Sequence, residues 1–156
     1  MNEAELKVYA KGFLREYAHP YVFKLVNETE VENLPNSTTH KAWNGISWID
    51  YWRALTGYYA NQLSCACCGK DLFVNVEDPF CKELVRMRQL AGEKEASVDL
   101  YQAEGAHIVY SSEAEDEYYD GVYIVPLCKK CNSISNQKFR LKAGSIICSE
   151  LGYTID

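Results

Sequence analysis

The chain has 156 residues, 47% of them hydrophobic and 13% aromatic, enough for one packed domain and too apolar for a disordered chain. Its formal charge of −6 argues against a general nucleic-acid binder, since such proteins draw their affinity for phosphate from Lys and Arg. The opening MNEAELKVYAKGF is acidic and has no apolar run of a secretory signal, and no stretch approaches the roughly 20 apolar residues that span a bilayer, so a soluble, cytoplasmic protein is expected.

Leu6, Tyr9, Phe13, Leu14 and Tyr17 recur at three- and four-residue spacing and predict an amphipathic helix over 3–18, ended by His19-Pro20. YVFKLV (21–26) is short and reads equally as strand or helix, and the polar stretch 27–45 reads as a loop. Ser47 followed by Asp50 resembles a capping box that opens a helix with Trp48, Ile49, Trp52 and Leu55 on its apolar side, and Gly57 is placed to stop it. Asp78-Pro79 starts another helix, lined on one side by Phe80, Leu84, Met87 and Ala91 and closed by Gly92. Strands are expected at 97–102, 106–110 and 122–127, an acidic turn between the last two, a helix from Cys131 to about Phe139, and a last strand in SIICSE. With no repeat and no linker, 1–156 reads as a single domain in which a helical N-terminal region, residues 1–60, packs on 62–156 through Trp48 and Trp52.

The seven cysteines are odd in number and come with no secretory signal, which argues against a disulfide framework. Four of them form two C-x-x-C turns, Cys65 with Cys68 and Cys128 with Cys131, and two such turns supply the four thiolates of a closed tetrahedral zinc site. Gly69 allows the left-handed turn that a knuckle of this kind requires. Cys67 competes with Cys65 for the first pair, but the i/i+3 spacing favours Cys65; Cys81 and Cys148 read as core thiols. The basic groups Lys82/Arg86/Arg88 and Lys129/Lys130/Lys138/Arg140/Lys142 read either as one local nucleic-acid-contacting patch or as a solvated face. Tyr51/Trp52, Tyr58/Tyr59 and Tyr118/Tyr119 are base-stacking platforms or, more commonly, core and interface.

GAHIVY followed by VYIVPLCKKCN, behind an earlier CACCG, resembles the treble-clef zinc fold of HNH nucleases over about residues 62–142, with an extra helical insertion in 70–100. The resemblance implies an α+β fold built as a ββα hairpin-knuckle-helix. It also puts His107 where the family keeps its general base, and Ala106 where the family has an Asp ligand for a catalytic Mg²⁺ or Mn²⁺. Tyr123 stands at the position of a structural Asn, and Asn132 at that of the last metal-ligating His. Asn136, taken to lie one helical turn further on, is a second candidate.

Alanine cannot bind a metal, and two neutral amides make a weak Mg²⁺ site, so the active site reads as degenerate unless Glu104 or an acid from Glu113 to Asp120 replaces the missing carboxylate. His107 then has two other readings, a structural histidine or a zinc ligand, while His19 and His40 look incidental. Three functions are expected in order: a non-catalytic zinc-stabilised protein that binds a protein partner, one that handles nucleic acid among the candidates; a metal-dependent nuclease; and a nucleic-acid-binding module using Lys129, Lys130, Lys138 and Arg140. The acidic run Glu113–Asp120 suits a partner with a basic surface.

Overall fold

The computed structural model describes residues 1–34, 41–110 and 121–151. The acidic run Glu113–Asp120, with Tyr118 and Tyr119, and His40 therefore lie outside the described residues. No helix among the described residues is long and apolar enough to cross a membrane.

The first helix, α1 (Glu3–Glu16), forms because Asn2 and Glu5 close a capping box, with the Glu5 amide donating to Asn2 Oδ1 at 2.9 Å. Leu6, Tyr9 and Phe13 enter the core, while Leu14 stays on the outside. Helix α2 (Trp48–Thr56) starts at Ser47, whose hydroxyl accepts from the Asp50 amide, and stops at Gly57 with φ 77°. Seven residues of α2 are buried, among them Arg53, so it is a core helix rather than a surface one. The Arg53 guanidinium reaches three oxygens, on Met1, Asp50 and Tyr59, through its two terminal nitrogens, which offsets part of the cost of its burial.

Helix α2 packs on the larger of two antiparallel sheets, and α1 packs on α2. Six strands, β1 (Val22–Lys24), β2 (Thr29–Asn33), β5 (Glu104–Tyr110), β6 (Val122–Leu127), β7 (Phe139–Leu141) and β8 (Ile146–Ser149), run in the order β1-β8-β6-β5-β2-β7. A separate hairpin joins β3 (Gln62–Ser64) to β4 (Asp71–Phe73). The ladder β5–β6 is the expected one, with Ala106 opposite Val125 and His107 opposite Ile124.

Helix α2 lies directly on β5. A Cβ at Gly105 would stand 2.4 Å from the Ile49 amide nitrogen, so only glycine permits that approach. Trp52 donates its indole N–H to the Ile146 carbonyl, and Tyr51 donates its hydroxyl to that of Ser149. The α2 aromatics thus tie the helix to β8 by direction as well as by area. The chain is mixed α+β, mostly antiparallel.

Five expectations are corrected, the last of them for the helix after the second C-x-x-C. Residues 27–45 are not simply a loop: β2 sits inside the sheet between β5 and β7, with Val31 opposite both Tyr110 and Phe139. The N-terminal region, residues 1–60, is accordingly not only helical, and it interleaves with the rest through β1 and β2. Residues 97–102 form a short 3-10 turn (Val98–Tyr101) in place of a strand. Helix α3 (Pro79–Leu90) turns Cys81 and Val85 inward, against Phe73 and Tyr101, and leaves Phe80 and Met87 exposed.

The helix after the second C-x-x-C is a single turn, α4 (Lys129–Asn132). The chain leaves it through turns in which Asn136 takes φ 55°, and Phe139 enters β7 instead of ending a helix.

Candidate metal centre

Each C-x-x-C occupies a place where the backbone must turn. Cys65 to Cys68 form the bend between β3 and β4, closed by the Gly69 amide donating to the Cys65 carbonyl at 2.9 Å, with Gly69 at φ 79°. Cys128 ends β6 and caps α4, its sulfur accepting from the Cys131 amide at 3.4 Å. The two turns are held face to face by the Ala66 amide, which donates to the Pro126 carbonyl at 3.0 Å, and by the Cys128 amide, which donates to Cys65 Sγ at 3.3 Å.

The sulfurs of Cys65, Cys68, Cys128 and Cys131 all lie within 4.8 Å of one another, and those of Cys68 and Cys128 are 3.8 Å apart. A tetrahedral ion with metal–sulfur bonds of about 2.3 Å requires edges of about 3.8 Å, so the cluster has the dimensions of a metal site. Cys67 and His107 do not belong to this grouping among the described residues. Cys81 and Cys148 are buried thiols, and burial pushes Cys148 up to about 12.

The sulfurs differ in electrostatic character. Burial acts to raise the Cys65 thiol, but the amides of Cys68, Cys128 and Cys67 directed at its sulfur overcome that and bring it below an ordinary thiol. Burial raises Cys131 far above one, and its neighbouring sulfurs add to the rise. Four thiolates at this spacing repel one another unless a cation lies among them, so a metal held here would release protons on binding and bind more weakly in acid. Asn33, on β2, donates to the carbonyls of Cys131 at 3.1 Å and Ile134 at 2.8 Å, fixing the open end of the α4 turn. Nothing in the polar run around Asn33 signalled that role.

The residues singled out by the HNH resemblance fall as follows. His107 is 4% exposed, its ring centroid is 4.7 Å from that of Trp48 at 80°, and its Nε2 is 3.9 Å from Glu150 Oε1. Burial raises the Glu150 carboxyl to about 7. Glu150 was not foreseen: it follows the last strand and carries no motif.

Ala106 is 1% exposed, within the core. Tyr123 is buried between Phe23 and Tyr110, in edge-to-face contacts at 5.7 and 5.4 Å. Glu104, His107 and Asn132 line one cleft of about 530 Å³, so the structure brings these three together. Asn136 does not join them, because α4 ends before it and no shared helical face exists.

Of the basic candidates, Lys138 stands 3.8 Å from Glu30 and Arg140 3.4 Å from Glu28, across the β2–β7 ladder. Lys129 and Lys130 are exposed on α4. In the other group, Lys82, Arg86 and Arg88 pair with Glu77, Glu83 and Glu93. Comparison with protein-family models, with curated proteins and with solved structures finds no match for this chain.

Proposed function

We propose that this chain is a non-catalytic protein stapled by one structural zinc ion on Cys65, Cys68, Cys128 and Cys131, with an HNH-like treble clef at its centre, that binds a protein partner in the cytoplasm. The observation that carries the non-catalytic reading is the burial of His107, 4% exposed with its ring edge-on to Trp48, beside an alanine at the position of the family's metal ligand. A general base must come within hydrogen-bond reach of the water it activates. The first knuckle in the β3–β4 hairpin, followed by the β5–β6 hairpin that leads into the second knuckle and α4, supports the treble-clef reading. Four soft sulfurs in a closed arrangement favour zinc over oxygen-seeking ions, and a reducing compartment keeps them as thiolates. Zinc there serves as a cross-link between two distant turns.

A protein partner is supported by Phe80, Met87 and Leu90, which stand 59%, 57% and 73% exposed along α3. The net charge of −6 suits a partner with a basic surface, one that handles nucleic acid among them. The pairing of Lys82, Arg86, Arg88, Lys138 and Arg140 with acids weighs against a nucleic-acid-binding module.

The second reading, a divalent-metal-dependent nuclease, is favoured by one observation: Glu104, His107 and Asn132 share a cleft. Incubation with DNA and RNA in Mg²⁺ or Mn²⁺ separates the two. We expect no cleavage above background from the parent protein or from His107→Ala. Cleavage by the parent that vanishes in His107→Ala with the zinc intact would establish the nuclease.

A further inference from the structure

On the side of the molecule next to the first knuckle, the end of β3, the β7–β8 turn and the C-terminal end of α2 enclose a cleft of about 440 Å³. That is the size of a small-ligand site. Among the described residues no acid lines this cleft, whereas Lys24 and Lys142 both do. Neither lysine has a carboxylate within 4.0 Å among the described residues, in contrast to the paired cations of α3 and β7.

Both lysine stems are laid over glycines in left-handed turns. A Cβ on Gly69 would stand 3.0 Å from Lys142 Cε, and one on Gly144 would stand 3.8 Å from Lys24 Cε. The absence of a side chain at 69 is what lets Lys142 lie along the turn. The cleft also presents a fixed aromatic surface. Tyr58 is half-buried, its hydroxyl donates to the Gln62 carbonyl at 3.0 Å, and its ring is backed by Trp52 at 5.5 Å. Ser64 and Ser145 add two hydroxyls to the lining.

We propose that this cleft binds a small anion that carries a flat ring, the chemistry of a nucleoside monophosphate, with Lys24 and Lys142 on the phosphate and Tyr58 against the ring. Two ammonium groups without acidic competitors supply the attraction for a dianion, and a ring pinned at its hydroxyl stacks at little entropic cost. The site is separate from the His107 cleft, and it shares the first knuckle with the proposed zinc site, since Cys65, Ala66 and Gly69 are among the residues lining it. A free nucleotide and the 5′-phosphorylated end of a strand offer the same chemistry.

Calorimetric titration of the intact, metal-loaded protein tests it, with AMP, GMP and UMP, the unphosphorylated nucleosides, inorganic phosphate, and a short 5′-phosphorylated oligonucleotide as probes. We expect saturable binding of at least one monophosphate. That binding should weaken at least about tenfold in Lys24→Glu/Lys142→Glu, and also in Tyr58→Ala, with zinc content unchanged. Tighter binding of the oligonucleotide with the same dependence on the lysines identifies the strand end as the source.

Three results would overturn the proposal: no monophosphate bound at millimolar concentration, inorganic phosphate or nucleoside alone binding as tightly as the nucleotide, or binding indifferent to the lysine pair. If Lys142→Glu costs zinc while Lys24→Glu leaves nucleotide binding intact, Lys142 serves the thiolates, and the proposal also fails.

Discussion

Glu150 illustrates how burial alone sets the behaviour of one side chain. Its carboxyl is 8% exposed, and burial holds its pKa near 7 against an ordinary value of 4.5. Between these values the folded chain keeps a proton that the unfolded chain releases. The contribution of Glu150 to stability therefore falls as pH rises through that window, and the loss is complete above about 7. Glu150→Gln removes the titration and keeps the shape. Urea denaturation of parent and variant should give similar stabilities near about pH 5 and a more stable variant near about pH 8. A difference that does not change with pH would refute the assignment.

The cysteines separate just as sharply. Cys131→Ser removes one of the four clustered sulfurs, and metal analysis of the purified protein should then find well under one equivalent of zinc. Cys67→Ser, just outside the cluster, should retain the full equivalent. Zinc lost from Cys67→Ser would reassign the first pair.

At the level of elements, the contact between α2 and β5 depends on one missing side chain. Gly105→Ala drives a methyl group into the backbone of Ile49 and Trp48, which cannot yield as a flexible side chain would. We expect a loss of at least about 3 kcal/mol in chemical denaturation, the upper end for overpacking, or failure to fold. A variant within about 1 kcal/mol of the parent would mean that α2 can lift off the sheet.

Elements with local signals were legible in the sequence. α1 and α2 announced themselves by caps and period, and the β5–β6 hairpin by its two apolar runs. β2 was not legible, because TEVEN buries only Val31 and both its partners, β5 and β7, come much later in the chain. The stretch after Cys131 misled for a related reason. A polar run without Gly or Pro reads as helix, but Asn136 in the left-handed region and the pairing of Phe139 with Val31 end it. The four sulfurs were readable from spacing, since two C-x-x-C turns leave few other uses. Asn33 and Glu150, which act on their surroundings across the fold, left no local trace.

For the whole molecule, the knuckles act as a clamp between hairpin β3–β4 and the end of β6. The rest of the fold is anchored to that clamp by the Lys142 amide, which donates to the Ala66 carbonyl at 2.7 Å. On the zinc reading proposed above, withdrawing the metal removes the cross-link between the two turns. Treatment with a strong chelator should therefore lower the thermal midpoint markedly and release β7 and α4 before the aromatic core. Hydrogen exchange would read this as early loss of protection at residues 128–142 with slower loss in α1 and α2. Uniform loss across the chain would show that the metal supports the entire core.

The strand order has a temporal side. β8, the last strand in chain order among the described residues, is not an edge strand: it lies between β1 and β6, with Val22 facing Cys148 and Ile124 facing Cys148 from the other side. During synthesis β1 leaves the ribosome with no strand to pair, and β6 has one open flank, until nearly all the described chain has followed. Both edges then stay unpaired, and a chain that ends before Ile146 presents a four-stranded sheet, β6-β5-β2-β7, beside a β1 with no partner strand. In this topology, joining β1 to the rest of the six-stranded sheet depends on a single four-residue strand.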